Sequence, residues 1–309
     1  AIRVGSDFSG LGSFELAAER VGRVIGRTTV NMFSCDVNRH CQKMLLENHR
    51  PFKFYPDITQ RDHQSMDCCD WYGAGFPCQP FSSAGLGLGV DDCQKRGLLV
   101  ADSLAYVVSK RPSLVVYENV KGIMDKKHAS LLQWVIKTLE DNSYRVYTRL
   151  LNTQDFGIPH HRWPAPIPCP PLDEFLGHDG DDGRPGSLPP RKHTRPYENV
   201  KEAYKRIRSD GRNPSQQCWV IDCQCSMAFL SYRENVSPCL LHSRSSLQSY
   251  WCSSLGRYLT TDDRMKLQGY ECHDQRAPDS AMNKMLGNAM SVDVVQAVLM
   301  QAAWAMGLI

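Results

Sequence analysis

Within its first 21 residues the chain passes from a short buried-strand pattern, residues 2–7, through Phe8-Ser9-Gly10-Leu11-Gly12-Ser13 into an amphipathic run, residues 14–21. This is strand, glycine turn, helix. In an α/β sheet such a junction brings backbone N–H groups and a helix N-terminus to a ligand at the carboxyl end of the strand. A glycine pair alone is a weak signal, because many such turns only pack. Repetition strengthens it. A second strand, residues 28–34, ends in Cys35-Asp36-Val37-Asn38 and leads into a helix over 39–48. A carboxylate at that tip can accept both hydroxyl hydrogens of a ribose, although a helix-capping Asp looks the same. Asp57-Ile58-Thr59 closes a third strand, where Asp57 can accept from an adenine amino group.

The fourth apolar run, residues 71–74, ends in Gly75-Phe76-Pro77-Cys78-Gln79-Pro80-Phe81-Ser82. Pro77 and Pro80 fix φ on either side of a thiol, so the turn projects Cys78 from a rigid base. Taken alone, a buried structural cysteine is as good a reading. Gly85, Gly87 and Gly89 then punctuate a loop to Arg96 that reads as a lid. A helix over 97–109, a strand over 113–117 and Glu118-Asn119-Val120-Lys121-Gly122 follow, and Glu118 sets another carboxylate at a strand end. A helix over 130–142, a strand over 144–151 and the turn Phe156-Gly157-Ile158-Pro159-His160-His161-Arg162 complete the region.

Composition narrows the setting. The 309 residues are 42% hydrophobic and 22% charged, enough for a real core. Thirteen cysteines in no regular framework fit a reducing compartment. Cys68-Cys69 and Cys223-Gln224-Cys225 lack the paired spacing of a zinc site, so no metal is expected. The net charge of +3 decides nothing. No run is long and apolar enough to span a bilayer, and residues 1–5 show no signal-peptide core. We therefore expect an intracellular protein without a membrane partner, nuclear in a eukaryote and cytoplasmic in a bacterium or phage host.

In order and approximate spacing, several segments resemble the cytosine-5 DNA methyltransferase family, which uses S-adenosylmethionine. They are Phe8-Ser9-Gly10-Leu11-Gly12, Asp36, Asp57-Ile58-Thr59, Pro77-Cys78-Gln79, Glu118-Asn119-Val120, Gly157-Ile158-Pro159 with Arg162, Leu267-Gln268-Gly269 and Gly287-Asn288. The Pro-Cys-Gln turn followed by Glu-Asn-Val is the specific part. The resemblance covers residues 1–163 and 257–309. It implies a Rossmann-like α/β class I methyltransferase sheet with helices on both faces, interrupted by a small variable target-recognition region over 164–256. In this division 1–163 is the catalytic and cofactor core, and 257–309 completes it.

The resemblance also assigns roles. Cys78 adds to carbon 6 of cytosine, making carbon 5 nucleophilic toward the cofactor's methyl group. Glu118, held protonated by enclosure, donates at N3, and Arg162 holds the carbonyl oxygen or orients Glu118. The base is flipped out of double-stranded DNA to reach them. Cofactor contacts fall to Phe8, Ser9, Gly10, Leu11, Gly12, Asp36, Val37, Asp57, Ile58, Pro77, Leu99, Asn288 and Ala289. DNA contacts fall to Gln79, Ser83, Arg96 and Arg257.

Between Arg184 and Arg212 nine Lys or Arg face three Asp or Glu. Arg191, Lys192, Lys205, Arg206 and Arg208 are therefore candidates for phosphate contacts, against the plainer reading of a solvated helix face over 198–209. The chain departs from the family at His160-His161-Arg162-Trp163-Pro164, where Pro164 takes the place of a second arginine. Two other readings stay open: the same chemistry on RNA, and a catalytically impaired homologue that binds nucleic acid or regulates.

Overall fold

A computed structural model describes residues 1–77, 99–159, 172–176, 183–271 and 277–309. The chain divides into two compact units, residues 1–150 with 295–309, and residues 151–294.

In the first unit, β1 (Ile2–Asp7), β2 (Thr29–Cys35), β3 (Lys53–Tyr55), β4 (Trp71–Ala74) and β5 (Leu114–Tyr117) form one sheet. Their order is β3-β2-β1-β4-β5 and every pairing is parallel. Parallel neighbours need long crossovers. These contain α1 (Ser13–Val24), α2 (Arg39–Asn48) and α3 (Val100–Lys110), with α4 (Ala129–Asp141) after β5. The strand order reverses between β1 and β4, and in open α/β sheets that point carries the ligand crevice at the carboxyl ends.

Side-chain pattern explains the packing. Phe14, Ala17, Ala18 and Val21 lie on one face of α1 and are fully buried. A side chain of Phe or Val size contributes about 1.5–3 kcal/mol when buried. Gly73 on β4 makes room for this helix, since a Cβ there would stand 2.3 Å from the Phe14 ring. Phe33, Tyr72 and Tyr106 form the aromatic centre of a core completed by Leu104, Val107, Leu131, Val135 and Leu139.

The strand expected over 144–151 does not form. Alternation holds only at its start, with Tyr144 and Val146 packed on the core and Tyr147 exposed, and it has ended by Leu150, which is exposed although it shares the parity of the inward pair. Tyr144 donates its hydroxyl to the Pro112 carbonyl at 2.8 Å. A pleated pattern becomes a strand only where another strand supplies a ladder, and none of the described strands pairs with this segment.

In the second unit, β6 (Trp219–Asp222), β7 (Tyr232–Glu234), β8 (Tyr250–Cys252) and β9 (Arg257–Tyr258) form an antiparallel sheet in the order β7-β6-β8-β9. The helices are α5 (Leu172–Leu176), α6 (Arg195–Ser209), α7 (Thr261–Lys266) and α8 (Asp279–Leu286). Buried Val200, Ala203, Tyr204 and Ile207 seat α6 on Trp219, Ile221 and Trp251. Thr260 and Asp263 cap α7 reciprocally. The last helix, α9 (Val292–Ala305), begins in this unit and continues in the first. Among the described residues no helix is long and apolar enough to cross a membrane.

Candidate active site at the strand tips

After β1 the chain bends sharply because three residues take left-handed conformations: Phe8 at φ 54°, Gly10 at φ 58° and Gly12 at φ 81°. For Phe8 this is strained, and such strain concentrates at functional positions. Gly12 has a second constraint, since a Cβ there would lie 2.2 Å from the His49 imidazole. Gly12 N–H donates to the Ser9 carbonyl at 2.8 Å, and α1 starts at once. Ser9 N–H donates to the Cys35 carbonyl at 2.9 Å, and Ser9 Oγ accepts from Cys35 N–H at 2.9 Å, tying the turn to the end of β2.

Asp36 follows β2. Its Oδ2 accepts from Gly10 N–H and its Oδ1 from Asn38 N–H, both at 2.8 Å. Burial pushes its carboxyl upward, partly offset by those two amides and by the Cys41 thiol. A carboxylate has about four acceptor positions. Two amides and one weak thiol donor leave room for one further strong donor, and a second hydroxyl fits if the thiol yields. The group therefore suits a vicinal diol. Asp57 caps a short 3-10 turn, its Oδ1 accepting from Thr59 N–H at 2.9 Å and Thr59 Oγ–H at 2.8 Å. Its Oδ2 takes no part in that cap. Ile58 beside it is buried, whereas Val37 is 68% exposed.

On the other side of the reversal, Phe76 and Pro77 leave β4 toward Cys78. Glu118 N–H donates to the Ala74 carbonyl at 3.0 Å, extending the β4–β5 ladder by one step. Asn119 Nδ2 donates to the Phe76 carbonyl at 3.1 Å and its Oδ1 accepts from Val120 N–H at 2.9 Å. The tip that bears Glu118 is thus bonded to the residue two before Cys78. Asn119 was legible only as a motif letter, and this clamp needs the paired strands to become visible. Leu99 precedes α3 as its half-buried cap residue.

Cys78, Gln79, Ser83, Arg96 and the lid over 85–96, with Arg162 and the turn from His160, lie outside the described residues. Asn288 and Ala289 follow α8 in the second unit. Asn288 Nδ2 bonds His242 Nδ1 at 3.1 Å, and the Ala289 carbonyl accepts from Gln268 Nε2 at 3.4 Å. Of the basic candidates, Arg191, Lys192, Lys205, Arg206 and Arg208 are exposed. Arg206 pairs with Glu202 at 2.9 Å, and Arg208 lies over the Tyr204 ring. Arg257 is mostly buried and donates to Asp263 Oδ2 at 2.6 Å, so its guanidinium serves the start of α7.

A family model for C-5 cytosine-specific DNA methylase matches residues 2–163. The Type II methyltransferase M.NgoBI of Neisseria gonorrhoeae is 29% identical over 312 positions, covering 94% of this chain and 89% of its own length. M.HaeII of Haemophilus aegyptius is 29% identical over 310, with the same coverage of 94% and 89%. In fold, the Entamoeba histolytica methyltransferase EhMeth matches with TM-score 0.66 at 18% identity, covering 99% of this chain and 98% of that one.

Proposed function

The chain belongs to the C-5 cytosine-specific DNA methylase family, and from that premise we propose that it methylates carbon 5 of cytosine in double-stranded DNA through a Cys78 adduct, using S-adenosylmethionine. One observation carries this reading. The carboxyl ends of β1 and β2 present a strained glycine turn locked to Asp36, while β4 and β5, paired beside β1, bring the segment entering Cys78 against Glu118-Asn119.

The cofactor, when bound, supplies a methyl group on a positively charged sulfur. Phe8 to Gly12 would lie along it, Asp36 would accept from its ribose hydroxyls, and Asp57 with Ile58 would receive the adenine. The expectation also carries Val37, Pro77, Leu99, Asn288 and Ala289 to this cofactor. Carbon 5 of cytosine is a poor nucleophile. Cys78 overcomes this by adding as thiolate to carbon 6, and the ring's electron pair becomes available at carbon 5 once N3 receives a proton from Glu118. Arg162 stabilises the charge gathering on the carbonyl oxygen. After methylation the carbon 5 proton leaves, the carbon 5–carbon 6 bond regains its double character and the thiolate departs. A stacked base cannot meet these groups, so the base must be flipped out. The direct test is transfer of labelled methyl from S-adenosylmethionine to duplex DNA, with transfer RNA in a parallel arm. Label on RNA alone would move the substrate assignment, and none on either would leave a binding module.

Asp36→Ala removes the diol acceptor, and a hydrogen bond to a charged group contributes about 1.5–3 kcal/mol. Affinity for S-adenosylmethionine should fall about tenfold or more by calorimetry. An unchanged affinity would confine Asp36 to its structural bonds with Gly10, Asn38 and Cys41.

For DNA, we assign the exposed cations Arg191, Lys192, Lys205, Arg206 and Arg208 to phosphates. Each neutralised phosphate adds about one unit to the slope of log K against log salt. Changing Lys205, Arg206 and Arg208 together to Gln should flatten that slope by about two to three units for every duplex sequence. Fluorescence anisotropy with an unaltered slope would reduce α6 to a solvated face.

A further inference from the structure

Beneath the strand tips of the first unit runs a buried polar chain that the reaction above does not use. Arg61 forms a two-pronged ion pair with Asp7, the last residue of β1, and the two side chains are 2% and 0% exposed. The guanidinium lies 5.7 to 5.8 Å from the centres of the Phe33, Tyr55 and Tyr106 rings. Tyr72 of β4 donates its hydroxyl to Asp7 Oδ2. The chain continues from Tyr72 to Ser103 Oγ of α3 at 2.5 Å and on to the hydroxyl of Tyr117 at 2.9 Å.

Proton counting gives this chain a direction. A hydroxyl has one hydrogen. Tyr72 gives its hydrogen to Asp7, so Ser103 must donate to Tyr72, and Tyr117 must donate to Ser103. Every hydroxyl then points toward one carboxylate, and each bond polarises the next. Tyr117 is the distal end and immediately precedes Glu118. Its ring also packs edge-on against Phe76 at 6.1 Å, two residues before Cys78. The same chain fixes Asp7, which immediately precedes the Phe8 turn.

We propose that Tyr117 is a positioning residue for methyl transfer: anchored through Ser103 and Tyr72 on the Asp7–Arg61 pair, its hydroxyl fixes the strand end that bears Glu118 beside Phe76. This rests on the methyl-transfer reading. Tyr117→Phe is the mildest cut, because it removes the terminal donor and leaves Ser103 still donating to Tyr72. Misplacing a catalytic group by a fraction of an ångström costs on the order of tenfold or more in rate.

The experiment measures the rate of covalent capture of a duplex carrying 5-fluorocytosine, per site able to bind S-adenosylmethionine, together with kcat and KM. Tyr117→Phe should slow capture and kcat by about tenfold while the KM for cofactor stays within about twofold. Tyr106→Phe is the control. Its hydroxyl is also buried, donating to the Asp67 carbonyl at 2.9 Å, and its ring is 5.2 Å from Tyr72, yet it is not on the chain. It should lower the melting temperature and leave the capture rate per site unchanged. A wild-type capture rate in Tyr117→Phe, or an equal loss in Tyr106→Phe, overturns the inference while the methyl-transfer reading stands. Absence of capture by the wild-type chain overturns that reading and the inference with it.

Discussion

Cys78→Ser should bind S-adenosylmethionine with undiminished affinity and fail to methylate cytosine. Serine is close to cysteine in size, but its hydroxyl is far less acidic than a thiol of pKa about 8.5, so no comparable fraction of anion exists at neutral pH. Loss of a covalent nucleophile lowers kcat by about a thousandfold or more. Tritium release from carbon 5 and methyl incorporation should vanish together. A wild-type chain given 5-fluorocytosine should become trapped, because fluorine cannot leave as a proton does and the thiolate then cannot be eliminated. Mass spectrometry should place the adduct on the peptide that contains Cys78. Residual turnover near the wild-type value, or an adduct on another cysteine, would reject the covalent route.

Much of this site can be read from the sequence because it is built at strand tips. Each tip combines a short apolar run with glycine or an acid, a pattern that survives in one dimension: Gly10 and Gly12 after β1, Asp36 after β2, Glu118 after β5. What joins the tips cannot be read that way. Asp36 was legible as an acceptor, but its partner Gly10 N–H comes from the neighbouring crossover. Asn119 reads as part of a motif, and only the β4–β5 pairing turns it into a donor to Phe76. The strand expected over 144–151 shows the converse. Tyr144 and Val146 do pack inward, but an apolar alternation reports which face is buried and not whether a ladder partner exists.

The second unit was less legible for a related reason. Its strands are only two to four residues long, Trp219–Asp222, Tyr232–Glu234, Tyr250–Cys252 and Arg257–Tyr258. A period of two cannot be established over so few positions. By contrast α6 has fifteen residues, and its buried Val200, Ala203, Tyr204 and Ile207 recur at helical spacing. Its outer face remains as basic as the sequence indicated, with Lys205, Arg206 and Arg208 exposed.

Loss of Arg61 should be strongly destabilising, although it sits in the polar stretch Thr59-Gln60-Arg61-Asp62-His63-Gln64. Burial alone would pull its guanidinium pKa down, yet the hydrogen bonds and charge of Asp7 raise it overall, so the guanidinium stays charged. Asp7 accepts two donors from Arg61 and one from Tyr72. Arg61→Met removes two of these three and leaves a carboxylate with no solvent access. Breaking a buried pair from one side costs about 3–5 kcal/mol, because the stranded charge keeps a single hydrogen bond and has neither counter-ion nor water. Removing both charges is a different experiment. In Arg61→Met with Asp7→Asn, the asparagine oxygen still accepts from Tyr72 and no net charge is buried, so most of the lost stability should return. Urea unfolding of the two single variants and the double variant measures this directly. If Arg61→Met alone unfolds within about 1 kcal/mol of wild type, Asp7 is not a stranded charge, and the ion pair beneath the strand tips contributes little to holding them.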